Sequence, residues 1–400
     1  MSHRTHRRLL KALPVRTAGA IGVATLATFA LAPLANASQL SEHGNAGSEN
    51  SHHAVFVQTN DPAGNAIVSY TRANNGQLTK FASYPTGGNG GSQDGAVVDP
   101  LASQGSLTYD AKHRLLFAVN AGSESFTVFK VDGARLQKEQ VLNSGGHLPT
   151  SISVSHNLVY VLDAGIDGKI AGFEIGRNGQ LHAIENSVRS LNLGNPANPN
   201  FLKSPAQVAI TPDRHEVVVA TKSAGTLDVF TLDRKGVPST MPITTPSAGA
   251  VPFGLSFDNL GRLLVAEASG GESSYWVQRD GELTTISSHV ANNQAATCWS
   301  AIAKGFVYVA NSGSNNITGY SENSRGQLSL LNADGVTATT DAGPVDVAAS
   351  LDGNYLYQLA TGAGAIDEFA VNDDGSLTKI GAITGLTPDN GSGYEGIATS

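Results

Sequence analysis

Three features of the sequence predict an all-β chain closed into a single seven-bladed propeller. They are a seven-fold internal repeat, short apolar runs of strand composition with no sustained helical period, and chain ends that complement one another. The repeat is an aromatic residue followed by a short polar turn with glycine and, in most copies, Leu-Thr or Leu-Ser. It occurs at Tyr70/Gly76, Phe129/Gly133, Phe173/Gly179, Phe230/Gly236, Trp276/Gly281, Tyr320/Gly326 and Phe369/Gly375. Those glycines are 57, 46, 57, 45, 45 and 49 residues apart, which is the length of a four-stranded blade.

Within each copy, the turn is a hairpin signal. Asn75-Gly76, Asp132-Gly133, Asn178-Gly179, Asp280-Gly281 and Asp374-Gly375 are Asx-Gly pairs, which tolerate the positive φ angles of tight turns. They are expected to join the third and fourth strands of antiparallel blades. Upstream lie runs such as Leu115–Val119, Val217–Ala220 and Val307–Ala310. Their length and their β-branched and aromatic content suit second strands buried on both faces. The seven recurring aromatics are expected to pack between blades.

The first copy begins directly at a second strand, at Ala54, and the chain finishes with an orphan strand from Gly393 to Ala398. Pairing that tail with the first blade closes the ring and removes free sheet edges. Residues 54–400 are therefore expected to form one propeller domain.

The preceding residues have a different character. Arg4, Arg7, Arg8, Lys11 and Arg16 precede an Ala-rich apolar run that ends in Ala35-Asn36-Ala37. This is the order of a secretory leader, with 1–37 removed after Ala37 and 38–53 left as a polar, disordered lead-in. The chain carries 25 basic and 33 acidic residues, and loss of the five leader cations takes the net charge from −8 to −13. With no basic cluster after Arg16, nucleic acid is excluded as a partner. Nor is membrane insertion expected once the leader is cleaved. The expected location is outside the cytoplasm, and the expected partner is a small-molecule ligand or a component of the cell envelope. Cys298 is the only cysteine, so no internal disulfide can form, and within Ala-Ala-Thr-Cys-Trp it reads as a small buried residue.

The stretch Gly343-Pro344-Val345-Asp346-Val347-Ala348-Ala349-Ser350-Leu351-Asp352-Gly353-Asn354-Tyr355-Leu356-Tyr357, together with the Gly-x-Leu-Thr turns, resembles the lactonase family of seven-bladed propellers. That family includes bacterial 6-phosphogluconolactonases and fungal carboxymuconate cyclases. The resemblance implies opening or closing of a lactone in a cleft around the central channel. It also implies a histidine early in the innermost strand of the third blade. There the sequence reads His147-Leu148-Pro149-Thr150, with Thr150 at the matching position and His147 three residues away, able to substitute. For an exported chain, a sugar phosphate made inside the cell is not the expected substrate.

Two long insertions, 85–104 and 189–204, account for the two 57-residue spacings. Both fall in connections on the face where innermost strands begin, which marks that face for binding. The residues that end the second strands there form a ring: Asn120, Asp163, Lys222, Glu267 and Asn311, with Asn60 or Asp61 in the first blade. Asp163, Lys222 and Glu267 come from adjacent blades. One expected arrangement has Glu267 as general base, Lys222 as electrophile, and Asp163 or His147 as orienting groups for lactone hydrolysis at the channel mouth. The alternative is an inter-blade network in a propeller that binds without catalysis. The oxygens of the ring would also suit Ca²⁺, against which stands the Lys222 ammonium; no other cofactor is implied.

Overall fold

The last strand of the chain, Glu395–Thr399, lies antiparallel to the first, Ala54–Gln58, with Val55 opposite Thr399 and Val57 opposite Ile397. The computed structural model describes residues 53–387 and 393–400; the expected leader 1–37 and the expected lead-in 38–53, apart from His53, lie outside them. Seven antiparallel sheets make up this unit. In blade 1 the order from outside to axis is Leu78–Pro85, Ala66–Arg72, Ala54–Gln58 and Glu395–Thr399, so the innermost strand comes from the other end of the chain. Blades 2 to 7 run from axis to rim in chain order. In blades 3 and 6 the outermost position is filled by two short pieces, Leu181–Ala183 with Arg189–Ser190, and Leu328–Leu330 with Ala338–Thr339. Among the described residues the only helical element is a 3₁₀ turn, Ala121–Ser123, and no helix is long and apolar enough to cross a membrane.

The second strands are buried along their whole length where the sequence is most apolar, as in Leu115–Asn120 and Glu216–Thr221. Strands sandwiched between neighbouring blades have no solvent face, which is why alternation is lost in them. Adjacent blades are also latched by hydrogen bonds. The Tyr357 hydroxyl of blade 7 donates to the carbonyl of Gly76 in the blade 1 turn at 2.7 Å. Tyr308 does the same to Gly375 at 2.8 Å and Tyr160 to Gly236 at 2.5 Å. Gly76 has φ +86°, and a Cβ there would come within 2.2 Å of the Tyr355 ring. The turn glycine is thus required both by its backbone conformation and by the packing of the adjacent blade.

One expectation about the repeat is corrected. Six of the recurring aromatics are buried, but Trp276 is 48% exposed, and Tyr275 is the buried residue in blade 5. In that strand Tyr275 pairs with Leu263, the register that Phe230 has with Val217 and Tyr320 with Val307. The spacing contains the reason: the aromatic precedes the turn glycine by six residues in blades 1, 3, 4, 6 and 7, and Tyr275 is six before Gly281. Because strand side chains alternate between faces, the adjacent Trp276 points away from that packing layer.

Candidate functional site

The innermost strands all begin on one face of the ring and end on the other. The two insertions meet on the first of these faces. Asp94 and Asn200 form a parallel bridge, the Asp94 amide donates to Pro199 at 3.0 Å, and the Phe201 amide donates to Asp94 at 3.0 Å. From there residues 98–104 run across the axis as a strap. The Thr361 hydroxyl donates to the carbonyl of Val98 at 2.6 Å, the Ser103 hydroxyl to that of Thr150 at 2.8 Å, and the Trp299 indole to that of Ser103 at 3.0 Å. The Gln104 side chain pairs in both directions with the Ser300 backbone, each bond 2.8 Å. These anchors belong to blades 7, 3 and 6, and Leu101 and Ser103 are fully buried. The strap therefore fills the funnel at this end. On the opposite face the channel stays open as a cavity of about 390 Å³, lined by strand ends that include Ser153, Gln207, Ser256 and Thr399.

Lys222 lies beneath the strap. It is 2% exposed, its Nζ donates to the Ala102 carbonyl at 2.5 Å, and it sits 5.3 Å from the centre of the Phe253 ring. Burial drives its pKa down to about 7, opposed by Asp99, Cys298 and Glu395. The carboxyls of Asp99, Glu395 and Asp346 share this enclosed space, and burial raises all three. Asp99 is the best supplied with donors, accepting the amides of Leu101 at 3.0 Å, Ala102 at 2.6 Å and Ser103 at 2.9 Å. Hydrogen bonds of this kind favour the charged form, and with the nearby Lys222 they oppose the rise that burial imposes on Asp99. The carboxylate also holds the strap in its turn. Cys298 is buried, and burial pushes its thiol pKa up, with Asp99 adding to the rise. No nucleophilic thiolate arises there.

Glu267 occupies a separate environment at the end of Leu263–Glu267 and is fully buried. One carboxyl oxygen accepts the Ser247 hydroxyl at 2.9 Å, the Gly249 amide at 2.6 Å and the Ser273 hydroxyl at 2.8 Å. The other lies 2.7 Å from Nδ1 of His289, which is 28% exposed. His289 has φ +43° and sits where the pairing of Gly271–Val277 with Leu283–Ala291 slips in register. A bulge of this kind re-aims a side chain, here from the outermost strand back over Glu267. Two glycines make room for the pair. A Cβ on Gly249 would fall 2.1 Å from the Glu267 carboxylate and 2.3 Å from His289 Nδ1, and one on Gly271 would fall 2.6 Å from the imidazole. Glu272 is buried beside Glu267, and burial followed by the charge of Glu267 raises its pKa well above the usual range.

Asp163 is buried in blade 3 between Gly146 and the paired Lys169. Burial lifts its pKa to about 7, and Lys169 offsets part of the rise. His147 lies at the rim of the same blade, with its Nδ1 against the exposed Glu124 carboxylate. Thr150 is buried.

Of the four residues singled out from the sequence, Asp163 and His147 lie near one another, while Lys222 and Glu267 each have partners of their own. The groups acting on Lys222 are Asp99, Cys298 and Glu395, not the two flanking carboxylates expected from the chain order. The reason is radial position. The ring residues end second strands, one strand out from the axis, so their side chains are held between sheets. Lysine is long enough to reach the axis; Asp163 and Glu267 are not. Asn120 and Asn311 follow the same rule, with Asn311 bonded to Asn316 and Thr318 of its own sheet and to Asn292 in the connection from the preceding blade. Among the described residues no three His, Cys, Asp or Glu side chains are grouped to hold a metal ion. His289 was not singled out, and its only sequence signal is a lone histidine in the Ser- and Thr-rich strand Leu283–Ala291.

A closed ring of seven four-stranded blades places the chain among the seven-bladed propellers. The periplasmic gluconolactonase of Pseudomonas aeruginosa superposes with a TM-score of 0.64 at 17% identity, over 87% of this chain and 98% of its own. A candidate 6-phosphogluconolactonase of Bacteroides fragilis gives 0.64 at 16% identity, over 88% and 99%. At these identities the likeness is one of fold. In sequence, a 6-phosphogluconolactonase of Serratia proteamaculans is 26% identical over 210 residues, which are 48% of this chain and 61% of that protein. The chain thus matches about three-fifths of the curated relative's length. No protein-family model matches the sequence.

Proposed function

We propose that the mature chain is an exported hydrolase of small lactones, with His289 as general base and Glu267 as the carboxylate that orients it. The observation that carries this reading is the 2.7 Å contact between a fully buried, triply hydrogen-bonded carboxylate and a partly exposed imidazole. Glu267 accepts the Nδ1 proton and leaves Nε2 free to take one from water. The hydroxide equivalent attacks the lactone carbonyl. The ring C–O bond then breaks, and the departing alkoxide recovers the proton from the imidazolium, which gives the open hydroxy acid. The charge beside His289 is the Glu267 carboxylate, and Lys222 is committed to the strap, so a neutral lactone fits better than a phosphorylated one. The lactonase names of the relatives support the same reaction class.

The test is hydrolysis of a panel of γ- and δ-lactones, gluconolactone included, followed by acid release against the spontaneous rate. Turnover by the parent and its loss in His289→Ala are expected. Rates no higher than spontaneous hydrolysis on every lactone would sink the proposal. A second reading, a propeller that binds without catalysis, is favoured by the strap itself, since it fills the funnel mouth at which lactone hydrolysis was expected.

A further inference from the structure

Trp276 is the residue of the aromatic repeat that does not pack between blades, and the place it occupies is built. With Leu260, Pro212, Asp213, Glu216 and Asn259, it lines a cavity of about 350 Å³ where blades 4 and 5 meet. The cavity lies on the face opposite the strap, away from His289. Leu260 is 63% exposed beside the indole, so two large apolar side chains are presented to water next to one another. Glu216 is 2% exposed, and one of its carboxyl oxygens accepts the Thr211 hydroxyl at 3.1 Å. The other has no hydrogen-bond partner. A buried carboxyl oxygen left this way is an unsatisfied acceptor, costly unless a ligand meets it.

We propose that this cavity binds a small organic ammonium ion, with the cation over the Trp276 ring and its charge met by Glu216 and Asp213. Tryptophan offers the strongest aromatic face to a cation, and a carboxylate supplies a charge-assisted partner. The charged groups acting on Glu216 are Asp213 and Asp280, which repel its charge, and Arg279, which attracts it; with burial the largest influence, its pKa rises to about 7. A bound ammonium would reverse that imbalance. A neutral sugar could stack on the indole but would leave the carboxylate uncompensated.

The sequence has two tryptophans, and Trp299 is 3% exposed, so a change in emission on adding a ligand reports on Trp276. The mature chain is titrated with tetramethylammonium chloride and n-butylammonium chloride, with sodium chloride at equal ionic strength as reference, by fluorescence and by calorimetry. A saturable emission change with the ammonium salts is expected. Binding should be roughly tenfold weaker near pH 5.5 than near pH 8.5, because Glu216 takes up a proton. Glu216→Gln should weaken it by about the same factor, and Trp276→Leu should remove the calorimetric signal; circular dichroism establishes that both variants fold. A response shared with sodium chloride would overturn the proposal, as would unchanged binding in both variants or saturation by a neutral oligosaccharide alone.

Discussion

Glu267 holds His289 at 2.7 Å from a strand on the far side of the same blade, and it spends its other carboxyl oxygen on three donors. That division of labour fixes the carboxylate in place, so a change at Glu267 should act through the imidazole. Glu267→Gln preserves shape but presents an amide to Nδ1, which favours the wrong tautomer. We expect kcat on a lactone substrate to fall by about 10²–10⁴-fold with KM little changed. Equal kcat in mutant and parent would remove Glu267 from the mechanism.

The glycines around the pair make a steric prediction. A methyl group on Gly249 would overlap both the Glu267 carboxylate and His289 Nδ1. Gly249→Ala must therefore displace one or the other. The expected outcome is a stability loss of about 1–3 kcal/mol, typical of overpacking, with a disproportionate loss of turnover. Thermal melts and initial rates together check this; a variant with full activity would show that the dyad is not the working pair.

Much of the ring was legible because hairpin chemistry repeats. Asx-Gly turns recur at blade intervals, and the orphan terminal strand announced its partner. The site was less legible, for reasons that are local. Lys222 could be read as the end of a second strand, but the carbonyl it serves belongs to Ala102, 120 residues earlier. Loop length indicated which face the insertions occupy, not that one of them crosses the axis. His289 reaches Glu267 through a bulge, and a one-residue slip in pairing leaves no period in the sequence. Trp276 was legible but misassigned, since its neighbour Tyr275 kept the six-residue spacing.

The buried acids predict an unusual pH dependence. Asp163 is raised by burial from 3.8 to about 7, and burial likewise raises Glu216 and Glu322 to about 7. Between about pH 4 and pH 7 the folded chain binds more protons than the unfolded chain, so stability falls as pH rises through that window. Lys222, lowered to about 7, contributes with the opposite slope only between about pH 7 and its ordinary value. The melting temperature should therefore be higher near pH 5 than near pH 7.5. Asp163→Asn, which removes a charge that must be buried, should flatten the slope and stabilise the chain at pH 8 by up to about 4 kcal/mol. A melting temperature that rises from pH 5 to 7.5 would refute the assignment.

Ring closure rests on six residues. Removing 395–400 strips the innermost strand from blade 1 and exposes the edge of Ala54–Gln58. It also removes Glu395, whose Oε2 accepts the Leu101 amide of the strap at 3.2 Å. An unpaired edge templates association, so the truncated chain should elute as aggregate and lose its single cooperative melt. Tyr357→Phe tests the same blade junction more gently. It deletes only the bond to Gly76 and should cost about 1 kcal/mol, with the melt still cooperative. A truncated chain that stays monomeric with an unchanged melting temperature would mean that the latches between blades, with Tyr357 among them, hold the ring without the terminal strand.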